Sequence, residues 1–156
     1  MRRVLFLLIS LIISVSTTGQ IIIEDKSSIS KSVTIGNVKN GPNVLATLTY
    51  EIQENNDTVC KLVFKDFKYQ TLEEFQSVSF LNKGNTLESF YKILKSFFSE
   101  ENKKNKKYSV NIKLGNEDVN LNQYRALGIG AVILNAKSGY VYFTENQVEK
   151  LFGKKK

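Results

Sequence analysis

Histidine and tryptophan are absent from this chain, and cysteine occurs once. Histidine is the usual general base, a common zinc ligand and the partner of serine and cysteine nucleophiles, so its absence removes the commonest designs of hydrolytic and zinc sites. We therefore predict a non-catalytic protein with no cofactor and no metal site. The lack of tryptophan also weakens the case for a surface that stacks sugars.

The single cysteine, Cys60, cannot close a disulfide within the chain, so the stability must come from packing. Cys60 lies between Val59 and Leu62 in a strand-like run, which predicts a buried and inert thiol. An intermolecular disulfide or a reactive thiol is the alternative.

Arginine is scarce, although the formal net charge is +7. After residue 20 the basic excess comes mainly from the lysines of 103–107 and 154–156, and Arg125 is the only arginine there. Proteins that read nucleic acids rely on arginine for bidentate contacts to guanine and phosphate. We therefore predict that nucleic acid is not a partner and that the lysine clusters keep the protein soluble.

The N-terminus has the order of a secretory signal peptide. Positive charges at Arg2 and Arg3 precede an apolar run over 4–15, and small and polar residues follow. We place cleavage between Gly19 and Gln20, which makes 1–19 a signal peptide. The run is shorter than the roughly 20 residues of a membrane span, so we expect no stable span after cleavage, with an uncleaved anchor as the alternative. The predicted location is the periplasm or the medium of a bacterium.

The segment 85–100 has the clearest helical pattern. Asn85 is suited to cap its N-terminus, with Glu88 completing a capping box. Its apolar residues fall on one arc of the helix: Leu87, Phe90, Tyr91, Leu94, Phe97 and Phe98. A helix with such a face needs a sheet or another helix to cover it.

Strand-like runs occupy most of the remaining chain, and alternation is clearest in 44–53 and 108–114. In 58–69 the apolar residues change face, for which we favour a bulge near Lys65 and Asp66 over a strand buried on both faces. The run 126–134 is apolar on both faces, which predicts a central strand whose glycines admit a neighbouring element. The other runs are 32–38, 75–81, 119–121 and 140–143.

These patterns predict one α+β domain over 20–156, with 20–31 as a loose arm and 153–156 as a basic tail. Its antiparallel, curved sheet is expected to have about six to eight strands, with one long amphipathic helix over 85–100 packed on one face. A short C-terminal helix is expected over 145–152, capped by Thr144. We detect no internal repeat in the sequence.

The motifs that resemble active sites are weak. The glycines Gly128 and Gly130 lack the third glycine of a dinucleotide fingerprint. The run 116–120 lacks the length and the closing glutamate of a calcium loop. The carboxylates of Asp66, Glu73 and Glu74 have no pattern that would position two of them for glycoside hydrolysis.

The aromatic content is high, and a sheet curled around a helix can leave an aromatic cavity. The candidate ligand-facing residues are Phe90, Tyr91, Phe97 and Phe98, although ordinary core packing is the simpler interpretation. The first functional hypothesis is an exported binding or protein-interaction module. The second is a carrier that holds an apolar ligand between helix and sheet, and the third is a hydrolase that depends on carboxylates.

Overall fold

The computed structural model of the protein describes residues 32–69, 73–126 and 128–155. The predicted signal peptide, the cleavage site at Gly19 and Gln20, and the arm over 20–31 lie outside the described residues. The elements follow in the order β1 (Val33–Asn40), β2 (Asn43–Ile52), β3 (Thr58–Lys65), β4 (Phe75–Leu81), α1 (Thr86–Ser96), β5 (Ser109–Leu114), β6 (Glu117–Ala126), β7 (Ile129–Ala136), β8 (Gly139–Thr144) and α2 (Glu145–Leu151).

The strands form two antiparallel sheets of four strands each, in the orders β1-β2-β3-β4 and β5-β6-β7-β8. The predicted mixture of antiparallel strands and helices is confirmed, but the prediction of a single sheet is wrong. The alternation of apolar residues identifies which face of a strand is buried, but it does not identify the strand that pairs with it. The division into two sheets falls between β4 and β5, which α1 separates in the chain. The structure also repeats one order of elements, four strands and then a helix, which the sequence did not reveal.

One face of each sheet enters a shared hydrophobic core. In the first sheet Leu48 pairs with Leu62, and in the second Leu121 pairs with Leu134; each of these leucines is fully buried. Both sheets and both helices contribute to one continuous cluster of buried side chains. Cys60 belongs to it, which confirms the predicted burial, and burial raises the pKa of its thiol.

The predicted bulge near Lys65 and Asp66 is wrong. The pairing of β3 runs without a shift of register to Phe64 on the β2 side and to its last residue, Lys65, on the β4 side. The chain then turns at Phe67 and Lys68, so the apparent change of face marks the end of the strand. The register shifts of the first sheet fall between β1 and β2 instead, at Thr34/Gly36 and Val38/Lys39.

Helix α1 ends at Ser96 instead of residue 100, so it is shorter than predicted. The hydroxyl of Ser96 donates to the carbonyl of Ile93 at 2.7 Å, and the amide of Asn102 donates to the carbonyl of Ser96 at 3.0 Å. These bonds satisfy carbonyls that a continuing helix would use itself. The predicted capping box at Asn85 is also wrong: the Asn85 side chain makes no capping bond, and Asn82 Oδ1 accepts from the backbone N–H of Leu87 at 3.0 Å.

Helix α2 forms close to its predicted bounds. The backbone N–H of Thr144 donates to Gln147 Oε1 at 2.8 Å, which closes the first turn. The helix packs against β8, which precedes it, and against β1 of the other sheet. This packing requires a glycine, because a Cβ at Gly36 would lie 2.1 Å from the carbonyl oxygen of Lys150.

Candidate functional site

The hairpin of β6 and β7 extends past the other two strands of its sheet. Strand β5 is paired with β6 as far as Asn122, and β8 is paired with β7 as far as Ala131. Beyond these points Arg125 pairs with Gly130 and Ala126 pairs with Ile129, and among the described residues this end of the hairpin has no further strand partner. We call residues 125–130, without Leu127, the hairpin tip.

The hairpin tip and its base expose large side chains to solvent. Ile129 is 62% exposed, the highest value among the large hydrophobic residues of the described ranges, and Tyr124 at the base is 39% exposed. Arg125 follows Tyr124 in the chain and is also exposed, but the register places it on the other face of the hairpin. Exposed isoleucine and tyrosine side chains on one face are typical of contact surfaces, and tyrosine is among the residue types that dominate binding hot spots.

Aromatic rings on the outer face of the second sheet support Tyr124. Its ring lies 4.9 Å from that of Tyr142, measured between centroids, and Tyr142 also contacts Tyr140 at 5.6 Å and Phe67 at 5.2 Å. Burial, with a smaller contribution from Tyr140, raises the pKa of Tyr142, so its phenol stays neutral at physiological pH. We call Tyr124, Tyr140 and Tyr142 the tyrosine cluster; Tyr124 lies on β6, the other two lie on β8, and both strands pair with β7 between them.

A row of asparagines continues the same outer face away from the tyrosine cluster. The amide of Asn120 donates to Asn111 Oδ1 at 2.6 Å, and Asn122 donates to Asn120 Oδ1. Asn135 donates to the carbonyl of Asn120 at 3.4 Å. The row is uncharged and holds its own side chains in place.

On the opposite face, the hairpin tip forms one wall of an open cleft. The cleft has a volume of about 810 Å³ and lies between the tip, the end of α1 and the start of α2. Gly130 borders open space in this wall, since a Cβ there would meet only Gln123 Nε2, at 3.9 Å. The charged and aromatic residues that line the cleft are Phe98, Glu100, Lys103, Arg125, Glu145, Glu149 and Lys155.

The carboxylates of the cleft are bound to lysines of the same protein. Lys95 Nζ lies 2.5 Å from Glu145 Oε1 and 2.8 Å from Glu149 Oε1, which joins α1 to α2. The hydrogen bond from Lys95 lowers the pKa of Glu149. Lys103 pairs with Glu100. Arg125, in contrast, forms no ion pair with any residue in the described part of the chain.

The structure separates the four residues predicted to face a ligand. Phe90 is buried and its ring lies 5.9 Å from that of Phe80 and 5.6 Å from that of Phe152. Phe97 is buried against Tyr108, with the ring centroids 4.7 Å apart.

The other two candidates are half-buried. Tyr91 packs against Phe152 beside Lys154, and Phe98 alone of the four lines the cleft. The rings of α1 and of the turn after it therefore contribute mainly to the core, and only Phe98, in that turn, reaches the candidate site.

Sequence reasoning missed the hairpin tip. Because 126–134 is apolar on both faces, Ile129 was expected to lie inside the sheet, whereas it is the exposed residue at the start of β7. The glycines leave space instead of admitting a neighbouring element, since a Cβ at Gly128 would have no atom within 4 Å. The usable signal was Gly128 itself, which has a positive φ of 82° and marks the turn.

Within the described residues, the cysteine, aspartate and glutamate side chains form no group of three or more that could hold a metal ion. No helix within these ranges is long and apolar enough to cross a membrane.

Comparison with known proteins adds no relative. No protein-family model matches the chain, and neither the curated proteins nor the solved structures contain a match.

Proposed function

We propose that the protein is an exported, non-catalytic interaction module that docks a protein partner on the hairpin tip. The observation that carries this proposal is the exposure of Ile129 and Tyr124 on one face of a hairpin that projects beyond its sheet, with Arg125 exposed on the other face. A projecting hairpin can enter a depression of a partner, and the paired strands below it limit the conformational entropy lost on binding.

The tyrosine cluster supports a protein as the partner. Tyrosine offers a large contact area with few rotatable bonds, and it is enriched at protein interfaces together with arginine. Because the ring of Tyr142 packs against the ring of Tyr124, the exposed side of Tyr124 is already oriented for contact with a partner. The alternative function, a carrier of an apolar ligand, is less favoured because Phe90 and Phe97 pack against other rings. These side chains fill the space that such a ligand would need.

Site-specific crosslinking tests the docking function. Ile129 is replaced by the photoreactive residue p-benzoylphenylalanine in cells that naturally make the protein, and Lys61, an exposed residue on the outer face of the first sheet, is replaced in a control chain. We expect one discrete protein adduct from position 129 and none from position 61. The adduct should disappear in a chain that also carries Tyr124→Ser. With Tyr124 retained, the same adduct should form in vitro when the purified partner is added.

Either of two results would overturn the docking function: equal adducts from both positions, or an adduct that is insensitive to Tyr124→Ser. Absence of any adduct from position 129 has the same meaning, provided that the substituted protein is folded and abundant.

Export is a separate part of the proposal and rests on the order of charge, apolar run and small residues in 1–19. Intact mass spectrometry of the protein recovered outside the cytoplasm should give a chain that starts at Gln20. A chain that retains Met1 would overturn cleavage at Gly19.

A further inference from the structure

The cleft is lined by two cations, Arg125 and Lys155, that form no ion pair within the described part of the chain. Of its three glutamates, Glu145 and Glu149 share Lys95, and Glu100 pairs with Lys103. Arg125 has no such partner among the described residues, although its guanidinium carries five donors suited to bidentate binding of a carboxylate. The sequence carries a formal charge of +7, and it stays basic without Arg2 and Arg3 of the proposed signal peptide, so an anionic partner would be attracted to it from a distance.

The shape of the cleft allows an extended chain to reach this arginine. Its volume of about 810 Å³ lies within the range of ligand pockets, and it is open to solvent along the hairpin tip. Gly130 stands directly opposite Arg125 in the β6–β7 pairing and has no side chain to block the approach. Phe98 supplies an apolar wall beside these polar groups.

We infer that the partner presents an acidic peptide segment, and that a glutamate or aspartate carboxylate of this segment binds Arg125 in the cleft while a neighbouring apolar side chain contacts Phe98. The inference rests on the proposed docking function and adds the chemistry of the partner to it. Charge complementarity favours an acidic segment, because the carboxylates of the cleft are already paired and its arginine is not.

A peptide titration of the full mature chain, labelled with ¹⁵N and followed by NMR, tests this chemistry. The probe is an acetylated and amidated peptide of alternating leucine and glutamate, and the matched probe has glutamine at each glutamate. We expect saturable shifts of the Gly128 and Gly130 amides with the glutamate peptide, and affinity about tenfold weaker with the glutamine peptide.

Two variants with the same loss of charge locate the binding site. Arg125→Gln should weaken the glutamate peptide about tenfold, because the bidentate carboxylate contact is lost. Lys113→Gln, on the exposed outer face of β5, should leave the affinity unchanged. Equal weakening by both variants would show a response to net charge alone and would overturn the assignment to the cleft.

Three other results would also overturn the inference: no saturable shift up to about 10 mM peptide, equal binding of the glutamine peptide, or tighter binding of inorganic phosphate than of the glutamate peptide. The crosslinking experiment keeps the two proposals apart. An Ile129 adduct that persists in an Arg125→Gln chain would leave the docking function standing while the acidic segment is ruled out.

Discussion

The carboxylate of Asp66 and the backbone amide of Tyr140 are joined by a hydrogen bond of 3.1 Å between Oδ1 and N. The same oxygen accepts from the backbone N–H of Lys68 at 2.9 Å, and the carbonyl of Tyr140 accepts from the backbone N–H of Phe67 at 2.9 Å. Asp66 is 1% exposed. The turn after β3 in the first sheet is thereby attached to β8 in the second, directly beneath the tyrosine cluster.

Removal of this carboxylate should destabilise the protein. Asp66→Ala leaves two backbone N–H groups without their acceptor in a buried place, and we expect a loss of about 2–4 kcal/mol in the free energy of unfolding, measured by urea titration. Asp66→Asn keeps an acceptor oxygen and should lose less. If the two variants are equally destabilised, the charge of the carboxylate matters more than its hydrogen bonds.

Gly36 and Gly130 form a matched pair of strand glycines with opposite expectations. A Cβ at Gly36 would lie 2.1 Å from the carbonyl oxygen of Lys150, so Gly36→Ala must push α2 away from β1, at a cost of about 1–3 kcal/mol. Gly130→Ala meets only Gln123 Nε2, at 3.9 Å, and should leave the melting temperature nearly unchanged. Equal effects in thermal melts would contradict the packing of α2 on β1.

The buried face of α1 can be tested with three substitutions to aspartate. Phe90 and Leu94 are 2% and 0% exposed, so Phe90→Asp and Leu94→Asp force an unpaired charge into the core and should prevent folding, with losses above about 4 kcal/mol. Lys92→Asp lies on the exposed face and should be tolerated. Circular dichroism melts distinguish these cases, and three similar curves would show that the helix face is misassigned.

The ion pair between α1 and α2 predicts a dependence of stability on pH. The hydrogen bond from Lys95 lowers the pKa of Glu149 in the folded protein, so this carboxylate stabilises the fold above its ordinary value of 4.5 and loses the effect as the pH falls through the lower folded value. Partial burial lowers the pKa of Lys95, but its hydrogen bonds to Glu145 and Glu149 outweigh that effect and raise it above 10.5. The contribution of Lys95 is therefore lost only as the pH rises through its raised pKa.

Glu149→Gln should melt at a lower temperature than the natural protein at pH 7, and the difference should vanish in acid once Glu149 is protonated. Glu101→Gln, an exposed residue of the loop after α1, provides the control and should change neither curve. A difference between Glu149→Gln and the natural protein that persists at the lowest pH would show that the ion pair is not its source.

The periodic patterns anticipated the individual elements well. Alternation over 44–53 and 108–114 corresponds to β2 and β5, and the buried positions Phe90 and Leu94 lie on the predicted face of α1. The type of an element and its buried face are local features, because the spacing of apolar residues along one segment determines which face is buried. The end of α1 was misplaced because Asn102, outside the periodic segment, binds the carbonyl of Ser96.

The sequence by itself determined which segments become strands or helices and which side of each is buried, since both depend on neighbours close in the chain. Tertiary structure alone decided that the strands divide into two sheets, that Asp66 meets Tyr140, and that Ile129 lies outside. An apolar residue such as Ile129 looks like a core residue until the lengths of the neighbouring strands are known. Because β5 and β8 stop short of the hairpin tip, nothing in the described structure covers it, and the candidate site exists for that reason.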